Sequence, residues 1–189
     1  MSYYVYDYSD LYELNFIKDL NDDRVLNISA GFDETSDIIL NKYPNIQLTR
    51  ADFYDPDVHT EISIKRARRA YPADENTLSV NTDSFPFRNQ YFDWTICIFS
   101  AHEIRNFEER IQFLRELKNV TNHETGEIII TENLRDVANF LAYNIGFLHF
   151  YSLNTWKTCF KKAGLQLIQE NKVNPFVTTF TLKPNGIAN

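Results

Sequence analysis

The feature that most constrains this chain is the alternation of short apolar runs with segments of helical spacing. Strands that alternate with helices form a parallel sheet with helices on both faces. The last two apolar runs are adjacent, so they predict a final hairpin that adds one antiparallel strand. The expected strands are residues 25–29, 46–51, 77–80, 92–99, 127–132, 165–173 and 176–182.

Helical patterns fill most of the intervals between these strands. The apolar residues after position 106 recur at helical spacing, and Asn106 followed by Glu109 resembles a capping box. Ser152 and Gly164 have the residue types that begin and end a helix. The expected helices are residues 35–42, 59–71, 107–117, 136–143 and 152–163.

Length and charge narrow the class of protein. A chain of 189 residues favours a single domain over 1–189, in which we interpret residues 1–20 as an N-terminal arm. The net charge of −7 disfavours nucleic acid as a partner. No apolar run reaches about 18 residues, so no membrane span or membrane partner is expected. The two cysteines, Cys97 and Cys159, form no disulfide framework and suggest a cytoplasmic protein. The oligomeric state stays open.

Several chemical motifs are missing from the sequence. It contains no G-x-G-x-x-G, P-loop, C-x-x-C or G-x-S-x-G pattern. His102-Glu103 begins like a zinc H-E-x-x-H motif, but Asn106 stands at the fifth position, so we predict no metal site. The basic run 65–69 has two readings, an anion site or a solvated helix face beside the acidic N-terminal region, and we favour the second.

Open parallel sheets bind ligands at the carboxyl ends of their strands. Three strings of the sequence carry a family resemblance: Val25-Leu26-Asn27-Ile28-Ser29-Ala30-Gly31-Phe32-Asp33, Ser84-Phe85-Pro86-Phe87 with Tyr91-Phe92-Asp93, and Phe99-Ser100-Ala101-His102-Glu103-Ile104. These strings resemble the class I S-adenosylmethionine (SAM)-dependent methyltransferases. The resemblance extends from about residue 25 to 182, and it includes a narrower bacterial subgroup of small-molecule type.

This resemblance implies a three-layer, Rossmann-like, seven-stranded α/β fold with SAM as the cofactor. By position, Asp52 would bond the ribose hydroxyls, with Asp55 as the fallback. Asn81, Thr82 and Asp83 would face the adenine, and Phe99 and Ser100 would border the cofactor. The first-strand turn would meet the cofactor through Asn27, Ser29, Ala30 and Gly31.

The first-strand turn departs from the family pattern at three positions. Asn27 replaces an acid, Ser29 replaces the first glycine and Asp33 replaces the last, so only Gly31 remains of the glycine motif. Asp33 would partly restore the negative charge that Asn27 lacks. A non-catalytic SAM- or nucleoside-binding protein is therefore an alternative to a methyltransferase, and an interaction protein that uses the acidic, aromatic N-terminus is another.

The acceptor side is expected to come from residues 139–151, which are rich in aromatic rings. These rings favour a small, planar or apolar methyl acceptor. His102 and His149 are the candidate general bases, and Tyr143 is the third candidate catalytic residue. The charged residues after the fourth and fifth strands predict a structural Glu–Arg network or, alternatively, a direct catalytic role; they include Glu103, Arg105, Glu132 and Arg135.

Overall fold

The structure is a computed structural model that describes residues 13–17, 20–57, 66, 68–70, 72 and 74–184. Most of the expected N-terminal arm (1–20) and of the expected basic helix (59–71) lies outside the described residues. Residues 66 and 68–70 are helical, in agreement with that expectation. No helix among the described residues is long and apolar enough to cross a membrane.

Seven strands form one sheet in the order β3-β2-β1-β4-β5-β7-β6. Strands β1 to β5 are parallel where they pair, and β7 runs antiparallel to both β5 and β6. The predicted mostly parallel sheet with an antiparallel last strand is confirmed. The strands are β1 (Arg24–Ser29), β2 (Gln47–Asp52), β3 (Leu78–Ser79), β4 (Trp94–Ile98), β5 (Glu127–Asn133), β6 (Leu165–Lys172) and β7 (Val177–Pro184).

Four α-helices and two 3-10 helices connect the described strands. The α-helices are α1 (Ser36–Lys42), α2 (Phe107–Val120), α3 (Val137–Tyr143) and α4 (Leu153–Ala163). The 3-10 helices are Ala101–Glu103 and Asn144–His149. Asn106 caps α2 by accepting from the backbone N–H groups of Glu108 and Glu109, as its position predicts. Gly164 ends α4 in the left-handed conformation, with a φ of 73°.

The sheet is buried on both faces, because neighbouring residues of one strand enter different clusters. Leu26 and Ile28 of β1 belong to the cluster that includes Leu114 of α2 and Trp156 of α4. Val25 belongs to the opposite cluster, together with Ile39 of α1, Leu14 and Ile17. This alternation produces the three layers that the sequence predicts.

Two strand ends differ from their predicted limits in a way that affects the site. Strand β2 extends one residue further than expected, so Asp52 is its last residue and pairs in register with Ser29. Strand β5 likewise continues to Asn133 and carries Glu132 inside the strand. Both carboxylates are thereby fixed by backbone pairing at the carboxyl edge of the sheet.

Candidate functional site

The turn after β1 is tied directly to the end of β2. Gly31 adopts a φ of 94°, a conformation that glycine tolerates far better than other residues. Its backbone N–H donates to Asp52 Oδ1 at 2.8 Å. The Ser29 hydroxyl donates to the Ala51 carbonyl at 3.3 Å, and Ala30 is buried beside it. Ser29 at the first glycine position of the motif therefore bonds the neighbouring strand and leaves the turn intact.

Asp52 is a buried carboxylate at this end of the sheet, and only 4% of its surface is exposed. Its Oδ1 also accepts from the Tyr54 N–H at 2.9 Å. Its Oδ2 forms an ion pair with Arg68, whose guanidinium also donates to the Gly31 carbonyl at 3.3 Å. The expectation that the basic run is only a solvated face is therefore wrong for Arg68, which reaches back to the strand edge.

The other two departures from the glycine motif meet each other at the start of α1. Asn27 is buried, and its Nδ2 lies 2.9 Å from both Thr35 Oγ1 and Ser36 Oγ. Asp33 Oδ1 accepts from the backbone N–H groups of Thr35 and Ser36 at 3.1 and 2.9 Å. Asn27 Oδ1 is buried without a hydrogen-bond partner. Asn27 and Asp33 thus stabilise the N-terminal end of α1 and anchor the turn.

Two cavities lie at the carboxyl edge of the sheet; Asp52 lines the first, and the residues directly after it line the second. One, of about 370 Å³, is lined by the β1 turn, Asp52, Arg68 and Arg50. The other, of about 400 Å³, is lined by the residues that follow β2 and β3. The predicted adenine-facing residues, Asn81, Thr82 and Asp83, all line this second cavity. The structure thus brings together the residues predicted after three different strands.

Thr82 and its neighbours differ in how firmly they are held. The Thr82 hydroxyl donates to Glu109 Oε1 at 2.7 Å, which ties the second cavity to α2. Asn81 and Asp83 are exposed and face solvent across the cavity mouth. The cavity therefore has a fixed wall at Thr82 and an open, polar rim.

Phe99 and Ser100 leave β4 in different directions. The Ser100 hydroxyl donates to the Ile28 carbonyl at 2.9 Å, which links the ends of β4 and β1. It also lies 2.8 Å from the Cys97 sulfur, and burial raises the pKa of that thiol to about 12. Phe99 has a φ of 50° and packs with Phe176 and Val177. It lines neither of the two cavities at the carboxyl edge of the sheet.

His102 lies between two carboxylates after β4. Its Nδ1 is 2.7 Å from Glu132 Oε2, its backbone N–H donates to Glu132 Oε1 at 3.1 Å, and its Nε2 is 3.0 Å from Glu103 Oε1. Burial lowers the pKa of His102, but the two carboxylates outweigh it and raise that pKa to about 10. The imidazole is therefore a cation at neutral pH and has no lone pair with which to accept a proton.

Two arginines hold the segment between α3 and α4. Arg135 donates to the carbonyls of Leu148 and Phe150, both at 2.7 Å. Arg105 donates to the His149 carbonyl at 2.8 Å, and its Nη2 lies 3.3 Å from His149 Nδ1. A guanidinium has only donors, so His149 Nδ1 is the acceptor. The expected Glu–Arg network includes a 3.5 Å contact between Arg105 Nη2 and Glu103 Oε2.

The remaining candidate catalytic residue, Tyr143, ends α3. Its ring meets Phe150 edge to face, with the ring centroids 5.3 Å apart, and Phe150 meets the His102 ring at 6.1 Å. The rings of Tyr143, Phe150 and His102 therefore form one group, which we call the aromatic wall. His149, in the segment between α3 and α4, is exposed. Among the described residues, no group of three or more His, Cys, Asp or Glu side chains is arranged to hold a metal ion.

One buried cation was not anticipated from the sequence. Arg110 of α2 is 1% exposed and lies over the Tyr151 ring, 3.5 Å from its centroid. It donates to the carbonyls of Ile104 and Arg105, at 3.1 and 3.2 Å, and so holds the loop after β4. The signal was available, because Arg110 precedes Leu114 by four residues and shares its apolar helix face.

Comparison with known proteins identifies the class to which this fold belongs. No protein-family model matches the chain. A SAM-dependent methyltransferase from Aquifex aeolicus superposes with a TM-score of 0.58 at 16% identity, over 86% of this chain and 82% of that one. The mitomycin 7-O-methyltransferase MmcR superposes with a TM-score of 0.65 at 13% identity, over 93% of this chain and 53% of that one. The fold is that of the class I SAM-dependent methyltransferases.

A curated relative is also similar in sequence. The demethylmenaquinone methyltransferase of Thermotoga maritima is 25% identical over 143 residues, which is 76% of this chain. The match covers 56% of the relative, so the chain spans little more than half of the length of the protein it matches. The resemblance to methyltransferases that the sequence predicts is confirmed at the level of the fold.

Proposed function

We propose that this chain is a SAM-dependent methyltransferase that acts on a small-molecule acceptor. The observation that carries the proposal is the position of Asp52 at the end of β2, where it is bonded to the Gly31 turn of β1 and lines the first cavity. Two backbone N–H groups orient this buried carboxylate through Oδ1, and Oδ2 has two acceptor positions that are suited to hydroxyl hydrogen bonds. The ribose of SAM would supply those hydroxyls.

The other residues around Asp52 fit the same cofactor. Asn81, Thr82 and Asp83 would hold the adenine in the cavity of about 400 Å³. The Asn81 carboxamide oxygen can accept from an exocyclic amine. When bound, SAM supplies an activated methyl group on a positively charged sulfonium. The carboxylates of Asp33 and Asp52 at the first cavity match that charge, since opposite charges attract more strongly in a partly buried site.

Arg68 gives the proposed site a second state. Its guanidinium occupies Asp52 Oδ2, the oxygen that accepts from neither backbone N–H group, so ribose hydroxyls can bond this oxygen only after Arg68 moves aside. About a third of the Arg68 side chain is exposed, and its long stem allows the guanidinium to turn into water. We propose that Arg68 neutralises Asp52 while the site holds no cofactor.

On the acceptor side, the protein would act by orientation and by excluding water. We propose that the rings of Tyr143 and Phe150 form one wall of the acceptor site. His102 would be a positioning residue there, because it is held protonated by Glu132 and Glu103 and cannot take a proton from the acceptor. The names of the Thermotoga relative and of the mitomycin methyltransferase support a small-molecule acceptor.

A non-catalytic SAM- or nucleoside-binding protein is the second candidate. The observation that favours it is the role of Asn27, which replaces an acid and is committed to the start of α1. Asn27 would give no charge to attract the ammonium end of SAM. This candidate predicts cofactor binding without turnover of any acceptor.

Calorimetry with SAM and with S-adenosylhomocysteine tests the proposal. We expect binding by the native chain and a large loss of affinity in Gly31→Ala, because a Cβ at a φ of 94° strains the turn that faces the ligand. Gly146→Ala is the matched control, since a Cβ there meets Tyr143 at an ordinary 3.7 Å. Thermal unfolding verifies that both variants are folded. Absence of SAM binding by the native chain would contradict the proposal.

A further inference from the structure

The segment from α3 through the following 3-10 helix exposes an unusual amount of apolar surface. Among the described residues, seven large apolar side chains are strongly exposed, and five of them lie between positions 137 and 148. We call these five the apolar stripe: Val137 (75% exposed), Phe140 (47%), Leu141 (68%), Ile145 (78%) and Leu148 (53%). Contiguous exposed apolar residues mark interaction surfaces in folded proteins.

The apolar stripe extends over two consecutive helices. Val137 and Leu141 are four residues apart on one side of α3, and Ile145 and Leu148 are three residues apart on one side of the following 3-10 helix. The opposite side of α3 is anchored to the protein through Asn139, which is buried and donates to the Phe176 carbonyl at 2.9 Å. The stripe therefore faces outward because the polar anchor faces inward.

Charge distinguishes this surface from the rest of the molecule. The sequence from 137 to 148 contains no charged residue, although the chain has a net charge of −7. The exposed ionic groups around the stripe are largely cationic: Arg105 and Arg135 border its C-terminal end, and Lys172 lies beside its start, 3.6 Å from Asp136. The Lys172 side chain is 59% exposed, whereas that of Asp136 is 30% exposed.

We propose that the apolar stripe and its cationic rim form a docking surface for an anionic lipid bilayer. An amphipathic segment lies in the interface plane of a membrane, with its apolar side chains at the boundary of head groups and acyl chains. Cations beside such a segment attract anionic head groups, while the acidic remainder of the molecule is kept away from them. The inference concerns a peripheral contact and does not depend on methyl transfer.

A second copy of the chain fits this surface less well. A two-fold interface presents the same patch from both copies, and so it would bring the cationic rim of one copy against the same rim of the other. On an anionic bilayer, by contrast, both the apolar stripe and the rim are complementary to the partner.

Vesicle flotation with the full chain tests the proposal. We expect the protein to float with vesicles of phosphatidylcholine mixed with phosphatidylglycerol, and to bind phosphatidylcholine alone much more weakly. Leu141→Ser with Ile145→Ser should weaken binding at least tenfold, because each side chain leaves the membrane boundary. Ile168→Ser is the matched control: Ile168 is 48% exposed but lies on β6, and its loss should leave binding unchanged.

A second pair of variants tests the contribution of the cationic rim to membrane binding. Lys172→Glu should weaken binding to the anionic vesicles about fivefold, and added salt should reduce the difference between the two proteins. Lys161→Glu makes the same change in charge on α4 and should have a smaller effect. Thermal unfolding of each variant separates a loss of docking from a loss of fold.

Three results would overturn the inference. The first is failure of the native chain to float with anionic vesicles. The second is equal binding by the stripe variant and by the Ile168→Ser control. The third is a native dimer in sedimentation velocity that the stripe variant converts to a monomer, since this result would assign the surface to a second copy. None of these results bears on SAM binding, so the outcome is separate from that of the proposed function.

Discussion

The carboxyl edge of the sheet contains two buried carboxylates, Asp52 and Glu132, and each is paired with a cation. Asp52 is held by backbone N–H groups on one oxygen and by Arg68, a partly exposed side chain, on the other. Glu132 is fully buried, and both of its oxygens accept from His102, whose ring is also held by Glu103. The cation at Asp52 is one third exposed, so under the proposed function a ligand would replace it, whereas the cation at Glu132 is largely buried.

Removal of the Glu132 charge should have the largest effect of the changes that test this comparison. Glu132→Gln leaves a buried imidazolium with only Glu103 beside it, and losing one partner of a buried ion pair costs about 3–5 kcal/mol. Chemical denaturation measures the free energy of unfolding. Glu124→Gln, at an exposed turn position, is the control and should change it by less than about 0.5 kcal/mol. A loss as small in Glu132→Gln would show that the pair is not structural.

Asp52 should affect ligand binding more than folding. Asp52→Ala should weaken SAM binding by about 2–4 kcal/mol, because it removes charge-assisted hydrogen bonds to buried hydroxyls. Asp52→Asn keeps one hydrogen-bond acceptor but removes the charge, so its effect should be intermediate. Asp57→Ala, an exposed carboxylate that lines neither cavity, is the calorimetric control. An unchanged dissociation constant in Asp52→Ala would indicate that Asp55, and not Asp52, contacts the ribose.

The pH dependence of stability should report on His102. Its folded pKa of about 10 lies above the ordinary value of 6.5, so the folded state keeps a proton that the unfolded state releases. The resulting stabilisation is complete below about pH 6.5 and is lost as the pH rises through 10. Between pH 7 and 9 the slope approaches about 1.4 kcal/mol per pH unit. His102→Gln should flatten this slope, and a native profile without it would contradict the assignment of the proton.

Arg68 should compete with the cofactor for Asp52. Arg68→Met keeps the apolar stem and removes the guanidinium, so SAM affinity should rise, by up to about tenfold. Arg69→Met, the adjacent exposed arginine, should leave the affinity unchanged. A fall in affinity in Arg68→Met would show instead that the guanidinium itself holds the bound ligand.

The smallest expected effects on cofactor affinity concern the aromatic wall. Tyr143→Ala and His149→Ala should reduce turnover of an acceptor while SAM affinity stays within about threefold, which corresponds to ~0.65 kcal/mol. Isothermal calorimetry gives the affinity, and S-adenosylhomocysteine release gives the turnover. A collapse of SAM affinity in these variants would assign the wall to the cofactor side of the site.

The sequence was sufficient to predict a mostly parallel sheet with an antiparallel last strand, and it predicted most helix ends. Apolar periodicity reports burial on each face of an element, and local rules place residues such as Asn106 and Gly164 at helix ends. The position of Asp52 and the turn at Gly31 followed from the resemblance, because both are set by local chain geometry at strand ends.

The ion pairs could not be predicted in the same way. Arg68 pairs with Asp52, which lies 16 residues earlier in the chain. From the sequence, the other basic residues near Arg68 were equally good candidates for this ion pair. Glu132 was expected to pair with an arginine, but the loop after β4 brings His102 to it, while Arg105 and Arg135 turn to backbone carbonyls. Pairing across a sheet edge depends on three-dimensional placement that residue types alone do not specify.

The arginine contacts to Leu148, His149 and Phe150 have a mechanical consequence. Three successive carbonyls at the end of a 3-10 helix are held by guanidiniums that follow β4, the central strand of the sheet, and β5, its neighbour. Force applied to the outer surface of this segment is therefore transmitted to the strand ends without passing through a hinge. We expect the backbone of the aromatic wall to be rigid. Under the proposed function, substrate exchange on the acceptor side would then depend on rotations of single rings.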